Sequence, residues 1–171
     1  MTMPQPNAPR PLPKLAQALV KSLLVGLYIL LVFLAVYRFQ SKLAMASLAA
    51  SAFIAFAFPH SDSSRAGHML GGYACGVVLG AACCFLRRLL PPTQAADNGT
   101  AVLFCALAVF LTAFCMIMLS CQHPPAAALA VSMVLEPDPL PMGLSVMVCI
   151  LVLAGLRLLL LKWLGKYLSP D

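Results

Sequence analysis

The stretch Ser120-Cys121-Gln122-His123-Pro124-Pro125-Ala126-Ala127-Ala128-Leu129 sets a histidine and two prolines inside otherwise membrane-like apolar sequence. A titratable side chain and an interrupted backbone are each costly at bilayer depth, so their coincidence marks a site. Two prolines opening a helix remove two N–H groups that would lack helical partners. The next donors, on Ala126 and Ala127, then point along the positive end of a helix dipole, an arrangement that receives anions.

Composition assigns the class. The 171 residues are 62% hydrophobic and only 9% charged, and the mean hydropathy is +0.95. Soluble domains are about a quarter charged, so this is an integral membrane protein in a lipid bilayer, with no separate soluble domain. The surplus of 11 Lys+Arg over 5 Asp+Glu reads as topology signal and not as a nucleic-acid surface. Residues 1–14 carry five prolines and are expected to form a disordered tail. Residues 15–168 form a single polytopic transmembrane domain.

Six apolar segments follow, at 15–37, 43–58, 69–86, 101–119, 124–135 and 142–161. The first is about 34 Å long as a helix, the second about 24 Å and the fifth about 18 Å, against a hydrocarbon core of about 30 Å. The order is long, short, long, then long, short, long. The sequence therefore predicts an all-α membrane protein with four full transmembrane helices and two short, re-entrant helices. It also suggests a two-fold internal repeat, because a shift of 78 residues lays one alanine-rich, proline-terminated short segment on the other. Short interrupted segments at matching places in two halves point to a transporter binding site.

With re-entry, basic residues divide 8 to 3 in favour of the side that holds both termini; with six crossings they divide 7 to 4. Either count places the termini in the cytoplasm by the positive-inside rule, the ratio favouring four spans, and a bacterial inner membrane is the expected location. In both arrangements His60, His68 and His123 share one side, with Ser61, Ser63, Ser64 and Arg65 at the same mouth. Gly72, Gly76 and Gly80 form a small-residue stripe at spacing four that lets helices approach closely, with the small residues of segment 43–58 as its expected partner. Four spans seldom enclose a pore alone, so a homo-oligomer is expected.

Seven cysteines form no C-x-x-C pair and read as buried thiols, with no disulfide framework or cofactor site. The soft ligands Cys115, Met116, Met118, Cys121 and His123 keep Cu(I) transport open as an alternative. No nucleophile is fixed beside a base and no glycine pattern cradles a phosphate, so an enzyme is not expected.

His123-Pro124-Pro125-Ala126-Ala127-Ala128, together with Ala50-Ser51-Ala52, Phe58-Pro59-His60-Ser61, Arg65 and Gly71-Gly72, resembles the HPP family of integral membrane proteins. The family commonly has glycine after the prolines, where this chain has Ala126 and Ala127. The resemblance implies a four-helix membrane protein and a transporter, photosynthetic members being associated with nitrite movement into plastids. The expected function is a transporter or channel for a small inorganic anion such as nitrite. The amides of Ala126 and Ala127 and the cation Arg65 would attract it beside His60, Ser61, Pro124 and Pro125. His123, with a reference pKa of about 6.5, would carry a proton alongside. A non-transporting membrane scaffold or accessory subunit is the alternative from another class.

Overall fold

The computed structural model describes residues 13–36, 41–95 and 97–164. Most of the expected N-terminal tail lies outside the described residues. Seven helices are found among them: α1 (Lys14–Val36), α2 (Lys42–Ala57), α3 (Ala66–Arg88), α4 (Pro92–Ala95), α5 (Asn98–Met118), α6 (Pro125–Leu135) and α7 (Pro139–Leu164), with a single 3-10 turn at Asp62–Ser64. Helices α1, α3, α5 and α7 are each long and apolar enough to cross a membrane, and α2 and α6 are shorter. The long–short pattern of the sequence is therefore the pattern of the fold. Its boundaries follow local chemistry. The Asp97 carboxylate accepts from Thr100 N at 2.9 Å to start α5, and Ser41 caps α2 in the same way, each satisfying a first-turn amide.

Polar bonds fix the directions. Ser41 at the start of α2 meets Ser132 near the end of α6, and Ser47 meets the Pro125 carbonyl at the start of α6, so the short helices are antiparallel. Gly72, Gly76 and Gly80 of α3 abut His123, Ala126 and Ala130 in turn, so α3 and α6 run in the same direction. Lys21 of α1 bonds the Ala57 carbonyl that ends α2, and Arg157 of α7 bonds the Pro59 carbonyl. The beginning of α1 and the last third of α7 thus share one end of the bundle with the 58–65 loop.

The two short helices the sequence predicts are present, with 16 and 11 residues. Helix α6 starts level with Gly72 of α3, the preceding 119–124 segment running without helix. Helix α6 is the hub. Ala126, Leu129, Ala130 and Met133 are fully buried between α3, α5 and α2, whereas α1 and α5 turn many leucines and phenylalanines outward. Inward small residues with outward large apolar ones are the arrangement that a bilayer solvent favours.

Candidate functional site

The break between α5 and α6 is built by backbone geometry. Ser120 takes a left-handed conformation, φ 50°, and the Cys121 amide reaches back to the Met116 carbonyl at 2.9 Å. This is the usual end of a helix that glycine terminates, here with a side chain in the left-handed position. Ser120→Gly is therefore expected to stabilise the protein by roughly 1 kcal/mol, read as a higher thermal midpoint in detergent. An unchanged or lower midpoint would show that the Ser120 side chain repays its backbone cost.

The chain then starts α6 earlier than the two prolines suggest. Pro124 is already helical, φ −51° and ψ −37°. The Ala126 amide donates to the His123 carbonyl at 2.9 Å, and the Ala127 amide to the Pro124 carbonyl at 3.1 Å. Both donors expected to receive an anion are thus used inside the first turn, which corrects the reading of this helix start as a free anion cradle. Nor does His123 cap the helix with its side chain, which points across the bundle.

His123 is fully buried and both ring nitrogens are engaged. Nδ1 stands 2.8 Å from the Ser63 carbonyl oxygen and Nε2 stands 2.8 Å from Ser51 Oγ. From Ser51 the bonds continue to Tyr73 Oη at 2.8 Å, from Tyr73 to Ser47 Oγ at 2.7 Å, and from Ser47 to the Pro125 carbonyl at 2.7 Å. Four polar side chains from α2, α3 and the break are thus linked in one row through an apolar core, where each would otherwise be costly. Three sequence features permit it. Ser47 and Ser51 are four apart on one face of α2. Tyr73 brings its hydroxyl between them from α3. Gly72 has no side chain, and a Cβ there would lie 2.8 Å from the His123 Cβ.

Above His123, a cleft of about 330 Å³ opens between α2, the 58–64 loop and α6, lined by Ile54, Phe58, His60, Ser61, Ser63 and Pro124. Of the residues expected at one mouth, His60, Ser61 and Ser63 line this cleft, whereas His68, His123 and Ser64 are not among its lining residues. Arg65 takes no part in it: 65% of its side chain is exposed and it pairs with Asp62 at 3.0 Å. His68 lies nearby on α3 with its Nδ1 buried and without a partner.

The cation at this site is instead Arg157, which sequence reading counted only as a topology charge. It is 6% exposed. Its Nε donates to Ser64 Oγ at 3.1 Å and its Nη2 to the Pro59 carbonyl at 2.5 Å. Among the described residues it has no carboxylate partner. The signal was available in Leu151-Val152-Leu153-Ala154-Gly155-Leu156-Arg157-Leu158-Leu159-Leu160, because a lone arginine in a spanning helix is a site by default. Ser47 and Ser51 had been read only as small residues, and nothing in the sequence marks Tyr73.

The glycine stripe packs against α6, not against α2 as the sequence reading expected. A Cβ on Gly76 would lie 2.6 Å from the Ala126 carbonyl oxygen, and one on Gly80 would lie 2.7 Å from the Met133 Cβ. Among the described residues no group of three His, Cys, Asp or Glu side chains is placed to hold a metal ion, and the nitrogens of His123 face Ser63 and Ser51. At the opposite end of α6, Arg87 bonds the Val134 carbonyl and Arg88 bonds those of Glu136 and Pro137. These cations satisfy carbonyls at the end of α6 beyond the Ser132 carbonyl, which the Glu136 amide caps at 3.0 Å. In the same loop, burial first and the Asp138 charge second hold the Glu136 carboxyl above its usual range.

Four crossing helices around a broken one, with a buried cation and a polar row inside, define a polytopic α-helical integral membrane protein with an intramembrane polar site. The family model described as "HPP, transmembrane region" matches residues 10–170, and the chain belongs to that family. No curated protein and no solved structure matches it.

Proposed function

We propose that the protein transports a small monovalent inorganic anion, nitrite among the candidates, through the cleft above His123. The observation that carries this reading is Arg157. A guanidinium within a spanning helix is costly, about 2.5–3.5 kcal/mol at the helix centre on insertion scales and less toward the ends, and such charges are ordinarily paired. Here the fixed partners are a carbonyl and a hydroxyl, both neutral, so one negative charge is missing from the site. An anion arriving past His60 and Ser61 would supply it, with Ser63 and Ser64 as polar neighbours. The 58–64 loop, which Arg157 and His123 hold from two sides, would have to yield for passage.

In this reading the bundle is one subunit of a homo-oligomer in an inner membrane. Both chain ends face the cytoplasm, on the side that collects 8 of 11 basic residues with four spans and 7 of 11 with six. The test is uptake of nitrite into proteoliposomes, with nitrate and chloride as competitors. Saturable uptake above empty liposomes, reduced by a competing anion, is the expected result. Uptake equal to empty liposomes from folded protein would remove the reading.

A further inference from the structure

The polar row through His123 has a proton count that does not balance. It begins on the Ser63 carbonyl and ends on the Pro125 carbonyl, and carbonyls only accept. Between them lie five links: Ser63–His123, His123–Ser51, Ser51–Tyr73, Tyr73–Ser47 and Ser47–Pro125. Each needs one hydrogen. A neutral imidazole supplies one and the three hydroxyls one each, so one link is empty. The Ser47 carbonyl, 3.1 Å from Ser51 Oγ, is a further acceptor and adds no proton.

A fifth proton fills all five links in a single arrangement, which turns the Ser51 hydrogen from the Ser47 carbonyl to Tyr73. Nδ1–H then donates to Ser63 and Nε2–H to Ser51. Ser51 donates to Tyr73, Tyr73 to Ser47, and Ser47 to Pro125. We propose that this row is a proton-binding site which takes one proton from water with each anion carried, a step that rests on the anion reading above. No covalent bond changes; hydronium gives its proton to the row and becomes water.

The surroundings explain why the proton waits for the anion. Facing His123, α3 contributes His68 and Tyr73, the break contributes Cys121, and α7 contributes Arg157. The 58–65 loop contributes His60 and the Asp62–Arg65 ion pair. Helix α2 offers only hydroxyls there, α6 has no titratable side chain, and α5 has only thiols. Among the described residues no carboxylate is placed to balance an imidazolium, and Arg157, fastened to the same loop as His123, adds a positive charge at this end of the bundle. A bound anion cancels the Arg157 field, and the fifth proton can then enter.

The count also names its own variants. Removing any one hydroxyl removes two links and one proton, so three links and three protons remain with a neutral imidazole. Tyr73→Phe keeps the ring, and Ser47→Ala reaches the same count on another helix if the first variant folds poorly. Proteoliposomes loaded with a pH-sensitive dye are given a nitrite gradient, and nitrite and proton entry are measured together. Wild type is expected to acidify the lumen by one proton per nitrite, after subtraction of empty liposomes. Either variant, folded by size-exclusion chromatography, is expected to lose that acidification. Nitrite entry without acidification in the wild type, or acidification unchanged in both variants, would overturn the proton site while leaving anion transport standing. Neither nitrite nor proton entry in the wild type would overturn both.

Discussion

Gly76→Ala is expected to lower the thermal midpoint by roughly 2–12 °C, a large effect for one added methyl group. The new Cβ would stand 2.6 Å from the Ala126 carbonyl oxygen, a backbone atom that no rotamer change can move. Helix α6 would have to retreat by the better part of an ångström, against α2 and α5, which pack on its other faces. Overpacking of this kind costs about 1–3 kcal/mol. The retreat would also pull Pro125 from Ser47 and displace His123, so flux should fall together with stability. Gly155→Ala and Gly26→Ala are the matched controls, because nothing lies within 4 Å of a Cβ at either position. Alanine there adds helix propensity of roughly 0.5–1 kcal/mol. Thermal melts of the three variants in one detergent decide the matter. Equal midpoints for Gly76→Ala and Gly155→Ala would show that α3 and α6 are not packed backbone to backbone.

Arg157→Gln is expected to abolish anion recognition while retaining a folded protein. The glutamine amide can still donate toward Pro59 or Ser64, so the 58–64 loop keeps one fastening, but the charge is gone. Loss of a hydrogen bond to a charged group costs about 1.5–3 kcal/mol, which is roughly a 10- to 100-fold loss of affinity. Ligand-linked stability gives a direct measure: nitrite should raise the wild-type midpoint with concentration and leave Arg157→Gln unmoved. Arg65→Gln is the contrast. Its guanidinium is mostly exposed and already paired with Asp62, and exposed pairs contribute little. Equal nitrite-dependent shifts for wild type and Arg157→Gln would assign the arginine to loop anchoring alone.

Segment length and composition were enough to read the helices in the sequence, including which two were short. They did not reveal direction. The lengths mark α2 and α6 as short, and only the contacts of Ser41 with Ser132 and Ser47 with Pro125 show that the two lie antiparallel side by side. His123 was legible because histidine beside two prolines has few reasons to sit in apolar sequence. The neighbouring amides were misread, since the dihedral angles of Pro124, which sequence does not give, let the first turn close on itself. Arg65 attracted attention as the cation beside the motif, although an aspartate three residues earlier offered the ordinary helical-turn partner. Arg157 is 34 residues beyond the motif in sequence and reaches it only because α7 returns along α2 and α3. The polar row was hidden for a related reason. Ser47, Ser51 and Tyr73 are unremarkable singly, and the five-link chain exists only when four separate segments meet.

The most direct measurement is nitrite uptake by wild type and Arg157→Gln, reconstituted at matched density and shown to be folded. Saturable uptake by the wild type, reduced at least 10-fold in the variant, is the result expected if the buried guanidinium receives the anion. Equal uptake by the two proteins, or none above empty liposomes for either, would contradict anion transport centred on Arg157.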